Sequence, residues 1–224
     1  MTVVPVAHIH TAFPEKFGIP RQSGLSSGIA RIVFTPEYRR CEAVRGLEEF
    51  SHLWLLWQFS ACAEKAWMPT VRPPRLGGNR RVGVFSTRSP FRPNHMGLSS
   101  VRLEKIDLSC PHAPVLLVSG ADMLDGTPIY DIKPYLAFTD CHPDSVGGFA
   151  DRVQKDFLHV VFAEECREAL PQALRRELIS VLEQDPRPHY QNDPGRIYGM
   201  YYGAYHVRFT VSGDTLTVIF VQKE

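Results

Sequence analysis

Short strand-like runs divide the first two-thirds of the chain, with glycine and proline residues between them. Their residue ranges are 3–10, 28–34, 52–59, 81–85, 99–108 and 114–124. Many short strands with few helices favour a β-barrel or a β-sandwich over an α/β fold, in which strands and helices alternate. The run HLWLLWQF at 52–59 is almost entirely apolar, which is typical of a strand buried on both faces, although its length also permits a helix.

The run at 99–108 changes its apolar face part-way along. Val101 and Leu103 share one face of a strand, whereas Ile106 and Leu108 have the opposite parity. One extra residue in a strand shifts the parity in this way, so the pattern predicts a β-bulge.

A different pattern follows a polar, glycine-rich stretch at 141–152. A strand is predicted at 157–162, and apolar residues then recur at helical spacing from Leu170 to Leu182. Residues 205–221 alternate between apolar and polar on both sides of a Ser-Gly-Asp turn, as a β-hairpin does.

These patterns predict a mainly β chain with two domains. The first, over 1–145, is the barrel or sandwich, and the second, over 146–224, is a small α+β domain. A hydrophobic fraction of 44% is enough for real cores, so extended disorder is not expected.

Charge is balanced over the whole chain but not locally. The 25 basic and 24 acidic side chains leave a formal net charge of +1, which is no signature of a nucleic-acid-binding protein as a whole. Residues 72–92, however, contain arginines and no acidic residue: Arg72, Arg75, Arg80, Arg81, Arg88 and Arg92. Such a stretch is either a phosphate- or carboxylate-binding surface or a set of solvated charges.

Several classes of site and location are not expected. The chain has no G-x-G-x-x-G or P-loop motif, and its five cysteines form no C-x-x-C pair, as in a reduced cytoplasmic protein. His8 and His10 share a strand face but have no third ligand, so no metal site is predicted. No signal-peptide pattern is found, and no uncharged apolar run is long enough to span a membrane.

Three loop motifs carry unusual residues: FGIPRQSGL at 17–25, RSPFRPNHMGLSSV at 88–101 and DMLDGTPIYDIKPYL at 122–136. Two further motifs, RGLEEFSHLWLLWQF and RPPRLGGN, stand between the first and the second of these loops. In this chain order the five motifs cover most of residues 8–140 and closely resemble the TrmO-type (YaeB/TsaA-like) tRNA methyltransferases. VLEQDPRPHY at 181–190 resembles the C-terminal extension of bacterial members.

This resemblance implies a single-sheeted β-barrel that acts as a homodimer, with S-adenosylmethionine as methyl donor. It implies that the acceptor is N6 of N6-threonylcarbamoyladenosine at position 37, in the anticodon loop of tRNA. Two other functions remain open: a non-catalytic RNA-binding barrel, and a β-barrel methyltransferase that acts on a small molecule.

The resemblance also implies a set of residues that bind the donor. They are Pro20, Arg21, Gln22, Phe59, Ser60, Arg88, Leu98, Leu124, Asp125, Gly126 and Thr127. The fork of the Arg88 guanidinium suits the methionyl carboxylate of the donor, and Asp125 could offset the charge of its sulfonium.

Candidate catalytic and RNA-binding residues follow from position. Asp125, Asp131 and Tyr135 are candidates for a general base, although a base is not required for this reaction. Arg92 or Lys133, beside Asn94, would bind the threonyl carboxylate of the acceptor. Phosphate contacts and base stacking are expected from two groups: Arg72, Arg75, Arg80 and Arg81 in the first, and Arg187, Tyr190, Arg196 and Tyr198 in the second.

The loop at 88–101 departs from the family pattern. His95 and Met96 replace the Pro-Ile of RPNPIG, and Ser60 replaces a histidine at the end of the aromatic run. We assign no catalytic role to Ser60 and expect His95 to be an exposed loop residue without a function. Pro90 and Pro93 are expected to stiffen the loop, and Gly97 to permit a close approach of backbone.

Overall fold

The computed structural model describes residues 2–62, 64–73, 76, 80–151, 157–187, 193 and 195–224. Six antiparallel strands close into a barrel in the order β1-β2-β7-β6-β3-β8, and β8 pairs with β1. Their bounds are β1 Ala7–His10, β2 Ile29–Phe34, β3 His52–Gln58, β6 Met96–Asp107, β7 Val115–Ser119 and β8 Thr127–Pro134. The predicted barrel is confirmed, and the sandwich is excluded.

Alternation along the strands builds the core of the barrel. In β3 the side chains of Leu53, Leu55 and Trp57 are buried inside, and the intervening ones are half-buried. The run at 52–59 is therefore a strand, as predicted, but only one of its faces is fully buried. The predicted bulge is confirmed, because the register between β6 and β7 shifts between Leu103 and Lys105.

The segment before β6 contains less strand than its sequence predicts. β4 Thr70–Val71 pairs with β5 Val82–Gly83, and the chain then enters a 3-10 helix at Val84–Ser86. The predicted strand over 81–85 is therefore wrong beyond Gly83. This short excursion places the loop at 88–95 next to the end of the barrel.

The C-terminal part is a four-stranded sheet packed against a helix. The sheet order is β10-β11-β12-β9, and β9 runs parallel to β12. The elements are β9 His159–Phe162, α2 Gln172–Leu182, β10 Tyr198–Tyr202, β11 Tyr205–Ser212 and β12 Thr215–Lys223, preceded by α1 Ala137–Asp140. The predicted helix, hairpin and α+β class are confirmed, whereas β10 was not predicted.

A segment from the first half of the sequence packs into the C-terminal core. Phe13 is buried among the side chains of that core, and Phe17 and Ile19 pack against it. The amide and the hydroxyl of Ser27 contact Ser180 Oγ at 3.1 and 3.2 Å. The boundary between 145 and 146 stays a prediction.

No helix in the described part of the chain is both long and apolar enough to cross a membrane.

Candidate active site

Two of the motif loops are in direct contact. Arg88 Nη1 donates a hydrogen bond to Gln22 Oε1 at 2.5 Å, and the Arg88 side chain is exposed. The loop that carries Gln22 is fastened to the end of β7, because Gly24 N donates to Gly120 O at 2.9 Å. A Cβ atom on Gly120 would lie 3.0 Å from the Gly24 backbone. The two segments can approach this closely because both residues are glycines and lack side chains. An arginine is thus presented at the surface on a fixed loop.

The turn at 124–127 is anchored to the end of β1. Asp125 N donates to Phe13 O at 2.8 Å, and Gly126, with φ +74°, donates to Ile9 O at 2.9 Å. The Asp125 carboxylate accepts from Thr11 N at 3.0 Å and lies 3.3 Å from His10 Nδ1. The structure thus pairs His10, which the sequence suggested only as a weak metal ligand, with a predicted site residue.

A second acidic residue near these loops, Asp122, was not predicted. Ser99 Oγ donates to Asp122 Oδ1 at 2.6 Å, and the Trp57 indole N–H donates to Ser99 Oγ at 2.9 Å. Burial raises the pKa of Asp122, while the hydrogen bond from Ser99 and the positive charge of Arg88 act in the opposite direction. A lone acid inside the apolar run GADML was the available signal in the sequence.

The remaining residues predicted to bind the donor differ in their exposure and in their contacts. Pro20 is buried, Leu98 is exposed on β6, and Ser60 is exposed in a 3-10 helix at Ser60–Cys62. The Phe59 ring lies 4.3 Å from the Trp57 ring, centroid to centroid. Arg21 Nη2 donates to the carbonyls of Asp185 and Arg187 in the C-terminal part at 3.4 and 2.9 Å, so it also joins the two halves of the chain.

His95 is a structural residue of its loop, which corrects the expectation of an exposed histidine. It is 8% exposed and adopts φ +47°. Its Nδ1 lies 2.7 Å from Pro90 O; a carbonyl only accepts, so Nδ1 carries the hydrogen. Its own carbonyl accepts from Phe59 N at 2.9 Å. The loop is therefore fastened to the end of β3.

Gly97 and Arg92 also serve the packing of this loop. A Cβ atom on Gly97 would collide with the indole of Trp57, so the close approach there is by a ring and not, as expected, by backbone. Arg92 Nη1 donates to Thr87 O at 2.6 Å and to Val84 O at 3.2 Å, and its guanidinium lies over the Phe85 ring.

The structure does not bring the three catalytic candidates together. Asp125 precedes β8, which begins at Thr127. At strand spacing, Asp131 lies roughly 13 Å from Thr127 along β8, and Tyr135, just after the end of the strand, lies roughly 26 Å from it. Asp131 Oδ2 pairs with Lys133 Nζ at 2.9 Å. The Tyr135 ring packs 5.5 Å from the Trp54 ring. Of the three catalytic candidates, Asp125 is the one that lies in the turn at 124–127, among the residues predicted to bind the donor.

The predicted RNA-binding residues divide into exposed and buried ones. Arg72, Arg80, Arg81, Asn94 and Arg196 are exposed, whereas Arg75 and Tyr190 lie outside the described residues. Tyr198 is 5% exposed and stacks on Phe209, so its ring is not available to a base. The buried Arg187 side chain is held by both carboxylate oxygens of Asp185, at 2.8 and 2.9 Å, and cannot serve as a free phosphate contact.

Two family models match this chain. The model of the tRNA-methyltransferase O N-terminal domain matches residues 8–141, and that of the TrmO C-terminal domain matches 155–224.

The chain belongs to the tRNA-methyltransferase O family.

Relatives in this family cover nearly the full chain. The tRNA (adenine(37)-N6)-methyltransferase of Escherichia coli K12 is 42% identical over 214 residues, which are 91% of this chain and 90% of that protein. A Pseudomonas aeruginosa protein, provisionally named S-adenosylmethionine-dependent methyltransferase RcsF, is 42% identical over 208 residues, 89% and 87% of the two chains. The crystal structure of TrmO from Pseudomonas aeruginosa has a TM-score of 0.79 and 34% identity, and it covers 99% of this chain and 98% of that one.

The family predicted from the motifs, and with it a methyltransferase enzyme, is confirmed. The roles of individual site residues in this TrmO family member stay predictions. Among the described residues, no group of three or more His, Cys, Asp and Glu side chains could hold a metal ion.

Proposed function

We propose that the protein methylates N6 of N6-threonylcarbamoyladenosine at position 37 of tRNA, with S-adenosylmethionine as donor. The Escherichia coli relative is named for tRNA adenine 37 and N6, and the Pseudomonas aeruginosa relative for the donor. The observation that carries the proposal is the cluster of the exposed Arg88, Gln22 and the carboxylate of Asp122 where the motif loops meet.

The cluster fits the donor's chemistry. The donor combines an anionic carboxylate, two cationic centres and an adenine, and it supplies a methyl group activated by a sulfonium. The exposed Arg88 suits the carboxylate, and the two acids on the 120–127 segment suit positive charge. Backbone groups of the turn at 124–127 suit the adenine edge. Loops fastened to β1, β3 and β7 hold these groups in place, and alignment is the main requirement of an in-line displacement.

The acceptor nitrogen also has to lose a proton. Asp125 and His10 are a proton-accepting pair at the edge of the cluster, 3.3 Å apart and both partly exposed. Arg92 is favoured over Lys133 for the threonyl carboxylate because it lies in the same loop as Arg88. Both side chains already have partners, Arg92 the carbonyls of Thr87 and Val84 and Lys133 the carboxylate of Asp131. The exposed arginines Arg72, Arg80, Arg81 and Arg196 would contact phosphates of the tRNA. We further propose a cytoplasmic homodimer.

The test is nucleoside mass spectrometry of tRNA incubated with the pure protein and S-adenosylmethionine. Methylation of tRNA that carries the threonylcarbamoyl group, and much less of tRNA without it, supports the proposal. Equal turnover of both tRNAs would refute recognition of the threonyl carboxylate. Binding of tRNA without donor binding would favour the non-catalytic barrel.

Calorimetry with S-adenosylhomocysteine tests the donor site separately. Arg88→Ala is expected to weaken binding by about tenfold or more, because it removes a charge-assisted hydrogen bond. Arg45→Ala, an exposed arginine after the 3-10 helix Cys41–Val44, is the matched control. Unchanged affinity of Arg88→Ala would exclude Arg88 from the donor site.

A further inference from the structure

Asp122 is held by groups from three separate segments. Ser99 on β6 donates its hydroxyl to Oδ1 at 2.6 Å, and the backbone N–H of Ser23 on the donor loop also donates to the carboxylate. The hydroxyl of Ser99 is itself held by the indole N–H of Trp57 in the barrel core. These bonds fix the carboxylate in one orientation beside the loop at 20–26, within the proposed donor site.

Arg88 acts on Asp122 electrostatically without forming an ion pair with it. The charge of Arg88 is felt at Asp122, but none of the ion pairs among the described residues joins the two. Arg88 Nη1 instead donates to Gln22 Oε1. The guanidinium of Arg88 and the carboxylate of Asp122 are therefore farther apart than the atoms of a direct salt bridge. Each is oriented by a hydrogen bond to a neutral side chain, Arg88 by Gln22 and Asp122 by Ser99.

Such a pair is complementary to a ligand that carries both charges. An α-amino acid group presents a carboxylate and an ammonium on one carbon atom, so each of its charges can meet an opposite one. On the basis of the proposed function, which already assigns Arg88 to the donor carboxylate, we infer that Asp122 binds the α-ammonium of the same amino acid group.

The energetics of the free protein agree with this assignment. A partly buried carboxylate without a paired cation is unfavourable, and its desolvation accordingly raises the pKa of Asp122. A ligand ammonium would provide the missing counter-charge and form a charge-assisted hydrogen bond. Asp125 is less suited to this role, because its carboxylate already faces a side chain that can carry positive charge, His10, whose Nδ1 lies 3.3 Å away.

Two ligands separate this role from a general one in the pocket. S-adenosylhomocysteine contains the amino acid group, and 5′-methylthioadenosine contains the same adenosine and thioether without it. The binding of both to wild-type protein, Asp122→Asn and Asp107→Asn is measured by calorimetry. Asp107 is the matched control, because it lies at the far end of β6, eight residues or roughly 26 Å from Ser99.

We expect Asp122→Asn to weaken binding of S-adenosylhomocysteine about tenfold or more, and that of 5′-methylthioadenosine less than about twofold. Asp107→Asn binds both as wild type does. Retained binding of 5′-methylthioadenosine also shows that the variant is folded.

Unchanged affinity of Asp122→Asn for S-adenosylhomocysteine, or an equal loss for both ligands, would overturn the inference while leaving the proposed function standing. If wild-type protein bound neither ligand and left tRNA unmethylated, the proposed function would fail, and the inference with it.

Discussion

Gly97→Ala is the most direct test of the packing beneath the candidate site. A Cβ atom at Gly97 would lie 2.5 Å from Trp57 Cζ2 and 2.7 Å from Cδ2. Carbon atoms in contact are normally about 3.5–4.0 Å apart, so the indole or the strand must move by about 1 Å. The indole has little room to do so, because Trp57 is 5% exposed and packs on Phe59.

Overpacking of this kind typically costs about 1–3 kcal/mol. For a protein of this size, a middle value of about 2 kcal/mol lowers the melting temperature by about 4–8 °C. The moved indole would also release Ser99, whose hydroxyl orients Asp122, so affinity for S-adenosylhomocysteine is expected to fall with the melting temperature.

Differential scanning calorimetry measures the melting temperature, and isothermal titration measures the affinity. Gly83→Ala is the control, since its Cβ would meet nothing closer than Ser86 Oγ at 3.9 Å and its φ of −59° suits alanine. A Gly97→Ala protein that melts within about 1 °C of wild type and binds the ligand equally well would refute the contact between Gly97 and the indole.

Two further predictions concern buried charges. Burial raises the pKa of Glu177, whose carboxylate accepts a hydrogen bond from Tyr202 Oη. The folded state therefore binds the Glu177 proton more tightly than the unfolded state does. The stability that protonated Glu177 confers at low pH is lost as pH rises through the folded pKa. Glu177→Gln lacks this loss, so its melting temperature relative to wild type should rise as the pH is raised from about 4, near the unfolded pKa, through the raised folded pKa; a constant difference would contradict the assignment. Arg187→Ala leaves the Asp185 carboxylate without its counter-charge and should reduce the free energy of unfolding in urea by about 3 kcal/mol. Substitution of an exposed arginine, Arg80→Ala, should not reduce it. Equal stability of Arg187→Ala and wild-type protein would show that the Arg187–Asp185 pair contributes nothing.

Local patterns were enough to predict five of the six barrel strands, the bulge in β6, the helix α2 and the C-terminal hairpin, whereas β8 at Thr127–Pro134 was not predicted. Each of these depends on the alternation or spacing of neighbouring residues. The strand β10 was missed although Tyr198, Met200 and Tyr202 alternate, because aromatic residues among basic ones were interpreted as a surface for RNA. Their burial depends on the partner strand β11 and on the core beneath it, which sequence spacing does not contain.

The candidate site shows the same limit. The motif loops were identified from the sequence, but the contacts of His95 with Pro90, of His10 with Asp125 and of Ser99 with Asp122 were not. The latter two pairs are 115 and 23 residues apart in the chain. His10 meets Asp125 because β1 and β8 close the barrel, whereas Ser99 meets Asp122 along the register in which β6 pairs with β7; neither register can be obtained from one segment alone.

The packing of residues 12–19 against the C-terminal core determines which part of the chain could be exchanged between relatives. A chimera joined at 145/146 would leave Phe13, Phe17 and Ile19 facing a foreign sheet and helix. It would also separate Gly18 from Met200, whose side chain fills the space beside that glycine. A successful graft therefore has to transfer two stretches of sequence, the C-terminal part of the chain and residues 12–19. Sequence changes in these two stretches should accordingly be inherited together.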